Sequence, residues 1–288
     1  MALRPRRSAL YMPASNVRAL EKAKSVAADV VIMDLEDAVA PDAKATARAQ
    51  AIAAIDAGGF GRREVVLRIN GLDSPWGADD LAAASRSKAD AILVPKVSTP
   101  TMIADAERGM TSAPATMQLW AMIETPLGIL NLREIAATSS IAGSRLACFV
   151  IGTNDLVKET RAELDADRTA ALYWLSAIMT AGRAHGLDVL DGVYNDFKDL
   201  DGLLRECRQG RQLGMDGKTV IHPDQIATVN DVFRPSADEI AAAEKIVSAF
   251  ELPENQGRGV ITMNGRMVEL LHAEMARRTL AVARAIEG

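Results

Sequence analysis

The sequence predicts an α/β protein, a (β/α)8 TIM barrel followed by a C-terminal helical extension. Short apolar or β-branched runs recur along the chain, and amphipathic segments of helical period separate them. Strands that are apolar on both faces and alternate with helices are typical of a parallel sheet covered by helices. The length of 288 residues suits one barrel of about 250 residues with an addition.

Eight runs are strand candidates, and a count of eight favours a closed barrel over an open sheet. The last two are the shortest and therefore carry the weakest pattern. In chain order the candidates are Ser8–Met12, Val30–Met33, Val65–Ile69, Ala91–Val94, Leu119–Ile123, Leu146–Ile151, Val189–Leu190 and Thr219–Ile221.

Amphipathic helices are predicted after the strands. Pro41 is a start signal for one helix, and Gly186 and Gly214 are stop signals for two others. The predicted helices are Asn16–Ala28, Asp42–Ala57, Ala78–Ser87, Thr101–Arg108, Pro126–Ala137, Asp167–His185, Phe197–Leu213 and Asp224–Val232.

The tail exceeds what a barrel requires. A helix is predicted over Ser236–Phe250, because Ser236 and Glu239 form a capping-box pattern. A polar linker over residues 251–259 and a last helix from about Met267 to Ile286 follow. We therefore predict a catalytic barrel over residues 1–235 and a helical extension over residues 236–288, placed at a subunit interface.

Composition and charge narrow the class of protein. The chain is 49% hydrophobic and has a net charge of −5, so no broad basic field invites nucleic acid. No run approaches the roughly 18 apolar residues that a membrane helix needs. Cys148 and Cys207 sit in apolar patterns and form no motif. We expect a cytoplasmic protein with reduced thiols, and neither a nucleic-acid nor a membrane partner.

Charged residues stand at the ends of the predicted strands, where the chemistry of barrel enzymes gathers. Glu124 and Asp155 follow neighbouring strands, which lie about 4.8 Å apart, so both can reach one ion. Two carboxylates completed by water and substrate oxygens are how Mg²⁺ is usually held. No Cys or His lies near either strand end, which disfavours zinc. Residue spacing supports helix capping equally well for both.

Other strand-end residues also have two interpretations. Arg68 lies in an apolar run and needs an anionic partner, either a substrate carboxylate or an acid in Asp34–Asp37. Those acids either surround a metal-bound water or form salt bridges and helix caps. Lys96 is either a Schiff-base lysine or a charge-balancing residue, and the second interpretation is favoured.

Seven segments resemble one protein family in this order along nearly the whole chain. The segments are SALYMPASN, VIMDLEDAVAP, VLRING, AILVPKV, Ile123–Pro126, GTNDL and KTVIHPDQI. The chain is similar to the citrate lyase beta-subunit-like branch of the HpcH/HpaI aldolase family. That branch includes malyl-CoA, citramalyl-CoA and methylmalyl-CoA lyases and related malyl-CoA thioesterases.

The resemblance implies an enzyme that uses Mg²⁺, with Mn²⁺ as an alternative, and that assembles as a homotrimer or a dimer of trimers. By position, Glu124 and Asp155 match the two metal ligands, and Arg68 matches the arginine that binds substrate carboxylate and carbonyl oxygens. Glu36 and Asp37 match acids that hydrogen-bond metal-bound water. A further implied group binds the substrate carboxylate through its backbone: Gly152, Thr153 and Asn154.

The chain departs from the family pattern in its tail. Relatives carry an aspartate there that reaches a neighbouring active site as catalytic acid or base. Here Glu269 stands at the matching position, in Gly265–Glu269, and is one methylene longer. Glu269 is thus the candidate base. The wider family also includes aldolases with a histidine base near the second strand, and this chain has DLED there instead.

The resemblance implies reversible cleavage of a 3-hydroxyacyl thioester such as malyl-CoA, citramalyl-CoA or citryl thioester, giving an oxo acid and an acyl thioester. The thioester carrier would be CoA or an acyl-carrier protein. Two alternatives remain: hydrolysis by a malyl-CoA-type thioesterase, and a partner-dependent beta subunit of a citrate lyase complex.

Overall fold

The structure is a computed structural model that describes residues 3–288 and divides into two compact units. The first unit covers residues 6–232, and the second covers residues 233–288 together with residues 3–5. Within the described residues, no helix combines the length and apolar character needed to cross a membrane. The predicted domain boundary after residue 235 and the predicted interface role of the tail remain predictions.

Eight parallel strands of the first unit close into a barrel, because β8 pairs with β1. The predicted fold class is confirmed, and each strand candidate overlaps an observed strand. The strands are β1 (Ser8–Pro13), β2 (Val30–Asp34), β3 (Glu64–Arg68), β4 (Ala91–Val94), β5 (Gln118–Ile123), β6 (Leu146–Ile151), β7 (Asp188–Asp191) and β8 (Gly217–Val220).

Ten helices accompany the strands of this unit, in the part of the chain that the structure describes. They are α1 (Val17–Ala23), α2 (Lys44–Ala57), α3 (Gly77–Ala84), α4 (Pro100–Gly109), α5 (Pro126–Leu130), α6 (Leu132–Ala137), α7 (Thr153–Thr160), α8 (Leu172–Ala184), α9 (Leu200–Leu213) and α10 (Ile226–Phe233). Phe233, the last residue of α10, already belongs to the second unit.

Local signals explain several of these helix bounds. The side chain of Asn16 accepts a hydrogen bond from the amide of Ala19 and starts α1, and Gly214 ends α9 with a left-handed φ of 95°. The predicted helix Pro126–Ala137 is two helices that meet at Asn131. The predicted helix Asp167–His185 begins only at Leu172, after a short 3-10 turn.

Side chains that point into the barrel follow the two-residue period of the strands. Trp120 and Met122 of β5, together with Val66 of β3 and Ile32 of β2, belong to one buried apolar cluster. The next inward position on β3 is Arg68, and the next after Met122 is Glu124. Along the inward-facing positions of the strands, the apolar core is therefore followed by a layer of charged side chains at the carboxyl end of the barrel.

The opposite end of the barrel is closed by a polar cluster around Arg6. This guanidinium donates two hydrogen bonds of 2.7 Å to Glu64 and one of 2.7 Å to Asp188, and it stacks over Trp120 at 4.7 Å. A buried arginine is stable here because carboxylates compensate its charge. With this end filled, the open cavity of the barrel lies at the carboxyl ends of the strands.

The second unit contains a helix, a hairpin and a helix: α11 (Ala237–Glu251), β9 (Val260–Met263) paired with β10 (Arg266–Glu269), and α12 (Leu270–Glu287). Ser236 caps α11 as predicted, with its side chain accepting from the amide of Glu239 at 3.2 Å. The helix predicted from about Met267 is wrong at its start. Asn264 and Gly265 both have positive φ, which is the backbone of a tight hairpin turn, so residues 260–269 form strands.

Candidate active site

A cavity of about 360 Å³ opens at the carboxyl ends of the barrel strands. It brings together most of the predicted site residues, although they come from different parts of the chain. Those that line it are Asp37, Arg68, Glu124, Gly152, Thr153, Asn154 and Asp155. Glu36 contacts Arg68 and Lys96 beside the cavity, and Glu269 lies in the second unit.

Glu124 is the most enclosed carboxylate of the cavity, with 1% of its surface exposed. It follows Met122 on the inward phase of β5. Its Oε1 accepts a hydrogen bond of 2.8 Å from the backbone amide of Lys96. Burial, followed by the negative charge of Glu36, raises the pKa of Glu124 to about 8. A carboxylate in this setting favours a positive partner.

Asp155 approaches the cavity from the first turn of α7, the helix that follows β6. Capping does not explain either acid, so that alternative is wrong for both. The N-cap of α7 is Gly152, and the N-cap of α5 is Thr125, whose Oγ1 accepts from the amide of Gly128 at 3.0 Å. Glu124 and Asp155 thus have no capping role, and they line the same cavity from the segments that follow the adjacent strands β5 and β6.

Gly152 provides room for Glu124. A Cβ atom at position 152 would lie 2.4 Å from both the Cβ and the Oε2 of Glu124. The backbone amide of Gly152 already donates to the carbonyl of Ile123 at 3.0 Å, so its contribution to the cavity is space. The amides of Thr153 and Asn154 that follow are in the first turn of α7, where helical amides have no carbonyl partner within the helix.

Arg68 is buried and held by acids of the β2–α2 loop. Its Nε and Nη2 donate bonds of 2.6 Å to the two carboxylate oxygens of Asp34. Its Nη1 lies 2.9 Å from Glu36 Oε2 and 3.5 Å from Asp37 Oδ2. The ion pair with the acids at 34–37, one of the two interpretations for Arg68, is therefore present. Nη1 also lies 3.8 Å from the sulfur of Met122.

Lys96 pairs with Glu36, as its charge-balancing interpretation requires. Its Nζ donates a 2.5 Å hydrogen bond to Glu36 Oε1. Glu36 Oε2 faces Arg68 as an ion pair without hydrogen-bond geometry. Burial raises the pKa of Glu36 above its ordinary value, although Arg68 and Lys96 oppose that rise. Lys44 contributes a third cation nearby, and its Nζ donates to the backbone carbonyls of Leu35 and Glu36.

Carboxylates are crowded around the cavity. Five of them lie near four cationic side chains, those of Arg68, Lys96, Lys44 and Lys158, and the crowding adds to burial in raising the pKa of Glu124 and suits a divalent cation. The carboxylates are those of Asp34, Glu36, Asp37, Glu124 and Asp155. No group of three or more His, Cys, Asp or Glu residues within positions 3–288 has metal-holding geometry. A cation held here would therefore take the remaining ligands from water and substrate, which is the pattern that Mg²⁺ prefers.

Tyr11 and Asn195 are among the cavity residues that were not predicted. Tyr11 of β1 lines the cavity with its ring 5.0 Å from Cζ of Arg68. Asn195 exchanges amide hydrogen bonds of 2.8 and 3.2 Å with Asn154 and ties α7 to the loop after β7. The inward phase of β1 could have identified Tyr11. Nothing in the local sequence marks Asn195, because its partner is 41 residues away.

The three histidines do not line the cavity. His185 lies 3.1 Å from the hydroxyl of Ser140 at the end of α8. His222 stacks on Phe197 with ring centroids 4.7 Å apart. His272 accepts from the amide of Glu269 at the start of α12. Each histidine thus has a contact outside the cavity.

Comparisons of the sequence with known proteins agree on one protein family. The model of the HpcH/HpaI aldolase/citrate lyase family matches residues 7–223. A (3S)-malyl-CoA thioesterase of Cereibacter sphaeroides (strain ATCC 17025 / ATH 2.4.3) is 49% identical over 282 residues, covering 98% of this chain and 96% of the relative. Citrate lyase subunit beta of Escherichia coli (strain K12) is 34% identical, with coverage of 97% and 94%.

A solved structure agrees over the full length of the chain. It is protein CitE from Mycobacterium tuberculosis in complex with magnesium, acetoacetate and coenzyme A. The TM-score is 0.77 at 29% sequence identity, and the match covers 98% of this chain and 100% of that one.

Proposed function

Because the chain belongs to the HpcH/HpaI aldolase/citrate lyase family, we propose that it is a Mg²⁺-dependent carbon–carbon lyase acting on a 3-hydroxyacyl thioester. Its substrate would resemble malyl-CoA, citramalyl-CoA or citryl thioester. Cleavage would give an oxo acid, such as glyoxylate, pyruvate or oxaloacetate, and an acyl thioester. The single observation that carries the proposal is the convergence of Glu124 and Asp155 in a cavity crowded with carboxylates.

The residues present fit a divalent ion held by Glu124 and Asp155. When bound, such an ion supplies a Lewis acid that polarises the oxo or hydroxyl oxygen of the substrate. Glu36 and Asp37 would orient water molecules bound to that ion. Arg68 and Lys96 hold these two carboxylates in place through a charged hydrogen bond and ion pairs.

Two groups would bind the anionic end of the substrate. The amides of Thr153 and Asn154 begin α7, and the N-terminus of a helix favours a carboxylate. Gly152 precedes these amides, and its missing Cβ leaves room for Glu124 beside them. The positive charge of the Arg68 guanidinium, which lines the cavity, would stabilise the negative charge that develops on the oxo-acid oxygen.

Carbon–carbon cleavage needs a base for the hydroxyl proton. As that proton leaves, the bond between the carbinol carbon and the α-carbon of the thioester breaks, and the electron pair departs as a thioester enolate. Protonation of the enolate completes the acyl thioester. We propose Glu269, contributed by another subunit of a homotrimer or a dimer of trimers, as the base.

Thioester hydrolysis is the second candidate, because a (3S)-malyl-CoA thioesterase is 49% identical to this chain. The same cavity would direct water at the thioester carbonyl. The two reactions differ in products: an oxo acid plus acyl-CoA from cleavage, a free hydroxy acid plus CoA thiol from hydrolysis. A partner-dependent role like that of a citrate lyase beta subunit is a third candidate, and turnover of free CoA thioesters by the purified chain would contradict it.

The test is turnover of several 3-hydroxyacyl-CoA thioesters with Mg²⁺, with oxo acid and free thiol measured separately. We expect an oxo acid, loss of activity with a chelator and recovery on adding Mg²⁺. Glu124→Gln and Asp155→Asn should each lower kcat/KM by at least about 100-fold, the scale of losing one electrostatic stabiliser. Glu134→Gln, at an exposed position on α6, is the matched control and should keep wild-type activity. Retained Mg²⁺-dependent turnover in both cavity variants would overturn the proposal.

A further inference from the structure

Tyr11 occupies an inward position of β1, in register with Ile32 of β2. Its ring packs against the apolar cluster that fills the barrel, and its upper face lies under the guanidinium of Arg68 at 5.0 Å. These contacts account for the aromatic ring, which packs between the apolar core and the charged layer. They do not account for the hydroxyl group.

The hydroxyl of Tyr11 has no oxygen or nitrogen acceptor among residues 3–288. Its contact is the sulfur of Met122 at 4.0 Å, and a thioether is a weak acceptor. Tyr11 is partly buried, and polar groups with little access to water are usually hydrogen-bonded in proteins. Since Tyr11 lines the cavity, its hydroxyl is available to an oxygen of a bound ligand.

The position of Met122 locates the hydroxyl within the cavity. Met122 lies on β5 one inward position below Glu124, so the Tyr11 hydroxyl reaches from β1 towards β5 beneath the layer of carboxylates. This is the closed end of the cavity, because the apolar cluster lies below it. The oxo-acid half is the small half of such a thioester, so it would occupy this closed end and leave the CoA or carrier group towards the mouth of the cavity.

The neighbouring arginine has few donors to offer there. Both oxygens of Asp34 occupy Nε and Nη2 of Arg68, and Glu36 and Asp37 face its Nη1. A neutral O–H complements it, because it binds an oxygen without adding charge to the site.

We propose that Tyr11 is a substrate-contacting residue whose hydroxyl donates a hydrogen bond to a carbonyl or carboxylate oxygen of the oxo-acid half. This inference rests on the proposed function and deepens it. Tyr11 thereby helps to select substrates that carry an oxygen at the deepest point of the cavity. The physical source of such selectivity is that a ligand without this oxygen would leave the partly buried hydroxyl with only the weak sulfur acceptor.

Tyr11→Phe is the informative variant, because it removes the hydroxyl and keeps the ring under Arg68. Tyr173→Phe is its control, since Tyr173 is 66% exposed on α8 and does not line this cavity. The readouts are kcat/KM on the turned-over thioester, the affinity for pyruvate or glyoxylate by calorimetry with Mg²⁺, the Mg²⁺ concentration for half-maximal activity, and Tm.

We expect Tyr11→Phe to lower kcat/KM about 10-fold to 100-fold and to weaken oxo-acid binding, the scale of losing one hydrogen bond to a polar ligand group. Its Tm and Mg²⁺ requirement should match wild type, as should every readout of Tyr173→Phe. Wild-type kcat/KM and oxo-acid affinity in Tyr11→Phe would overturn the inference and leave the proposed function standing. A loss accompanied by lower Tm and weaker Mg²⁺ dependence would show a structural role only. A wild-type protein with neither turnover nor oxo-acid binding would overturn both.

Discussion

The backbone amide of Lys96 holds the Oε1 of Glu124 at 2.8 Å from a left-handed backbone conformation with φ 54°. Such a φ is uncommon outside glycine, and it persists where surrounding structure demands it. The ammonium group of the same lysine bonds Glu36 at 2.5 Å. Lys96 therefore places two carboxylates of the cavity, one through its backbone and one through its side chain.

The backbone contribution of Lys96 can be separated from its charge. Lys96→Gly and Lys96→Val both remove the ammonium group, but glycine adopts a positive φ readily and a β-branched residue does not. We expect the valine variant to need about 10-fold more Mg²⁺ for half-maximal activity than the glycine variant, the scale of disturbing a residue that orients a metal ligand. Identical Mg²⁺ dependence in the two variants would show that the conformation of residue 96 does not position Glu124.

Gly152→Ala should disable the cavity. The added methyl group would lie 2.4 Å from the Cβ of Glu124, which cannot move without shifting β5. We expect loss of at least about 100-fold in kcat/KM and a lower Tm, because overpacking a buried site is destabilising. Gly259→Ala is the control, as a Cβ there meets nothing within 4 Å. A Gly152→Ala enzyme with wild-type activity would refute the close approach.

Asp191 should contribute stability that is lost in acid. It is completely buried and accepts from Arg168 at 2.8 Å and Lys218 at 3.0 Å. Burial alone would raise the pKa of Asp191, but Lys218 and Arg168 outweigh it and hold the pKa below its usual range. Because the folded-state pKa is the lower one, the stabilisation is full above the ordinary value near 3.8 and fades as the pH falls through the folded pKa.

Asp191→Asn should therefore lower the free energy of unfolding at pH 7 by about 3–5 kcal/mol, because it leaves buried cations uncompensated. Urea unfolding at several pH values measures this, and the gap to wild type should narrow below pH 3.8. Glu21→Gln is the control. Glu21 forms an ion pair with Lys24 but is well exposed, so losing this pair should change the free energy of unfolding little at any pH. If the difference in unfolding free energy between wild type and Asp191→Asn does not depend on pH, the ionised carboxylate is not the source of the stabilisation.

Variants at Glu269 test whether this residue is the base that removes the hydroxyl proton. Glu269→Gln should lower oxo-acid release by about 100-fold to 10,000-fold, as loss of a general base does, whereas Glu269→Asp should keep part of the activity. Glu274→Gln, an exposed acid on α12, is the matched control. Oxo acid and free thiol are measured in the same reactions, so an effect on hydrolysis alone is visible. Full oxo-acid release by Glu269→Gln would place the base elsewhere.

The barrel follows from the sequence alone, because its signals are local. Runs such as Val30–Met33 and Ala91–Val94 are apolar on both faces, and helix signals such as Gly214 stand between strands. The order of the strands also places Glu124 beside Asp155, since consecutive strands of a (β/α)8 barrel are neighbours. The hairpin at residues 260–269 was not predicted although Asn264–Gly265 is its local signal, and the helical period was extended back to about Met267, into β10.

Only the tertiary structure decided which partners the charged residues take. Arg68 could meet a substrate or any acid at 34–37, and closure of the barrel gives it both oxygens of Asp34. The contacts of Gly152 with Glu124 and of Tyr11 with Arg68 join residues distant in sequence, so no periodicity encodes them. The two-residue period of a strand determines which side chains point to the same face of the sheet. The distances between side chains depend on how the strands twist and close, and these distances decide between an ion pair, a capping residue and a metal ligand.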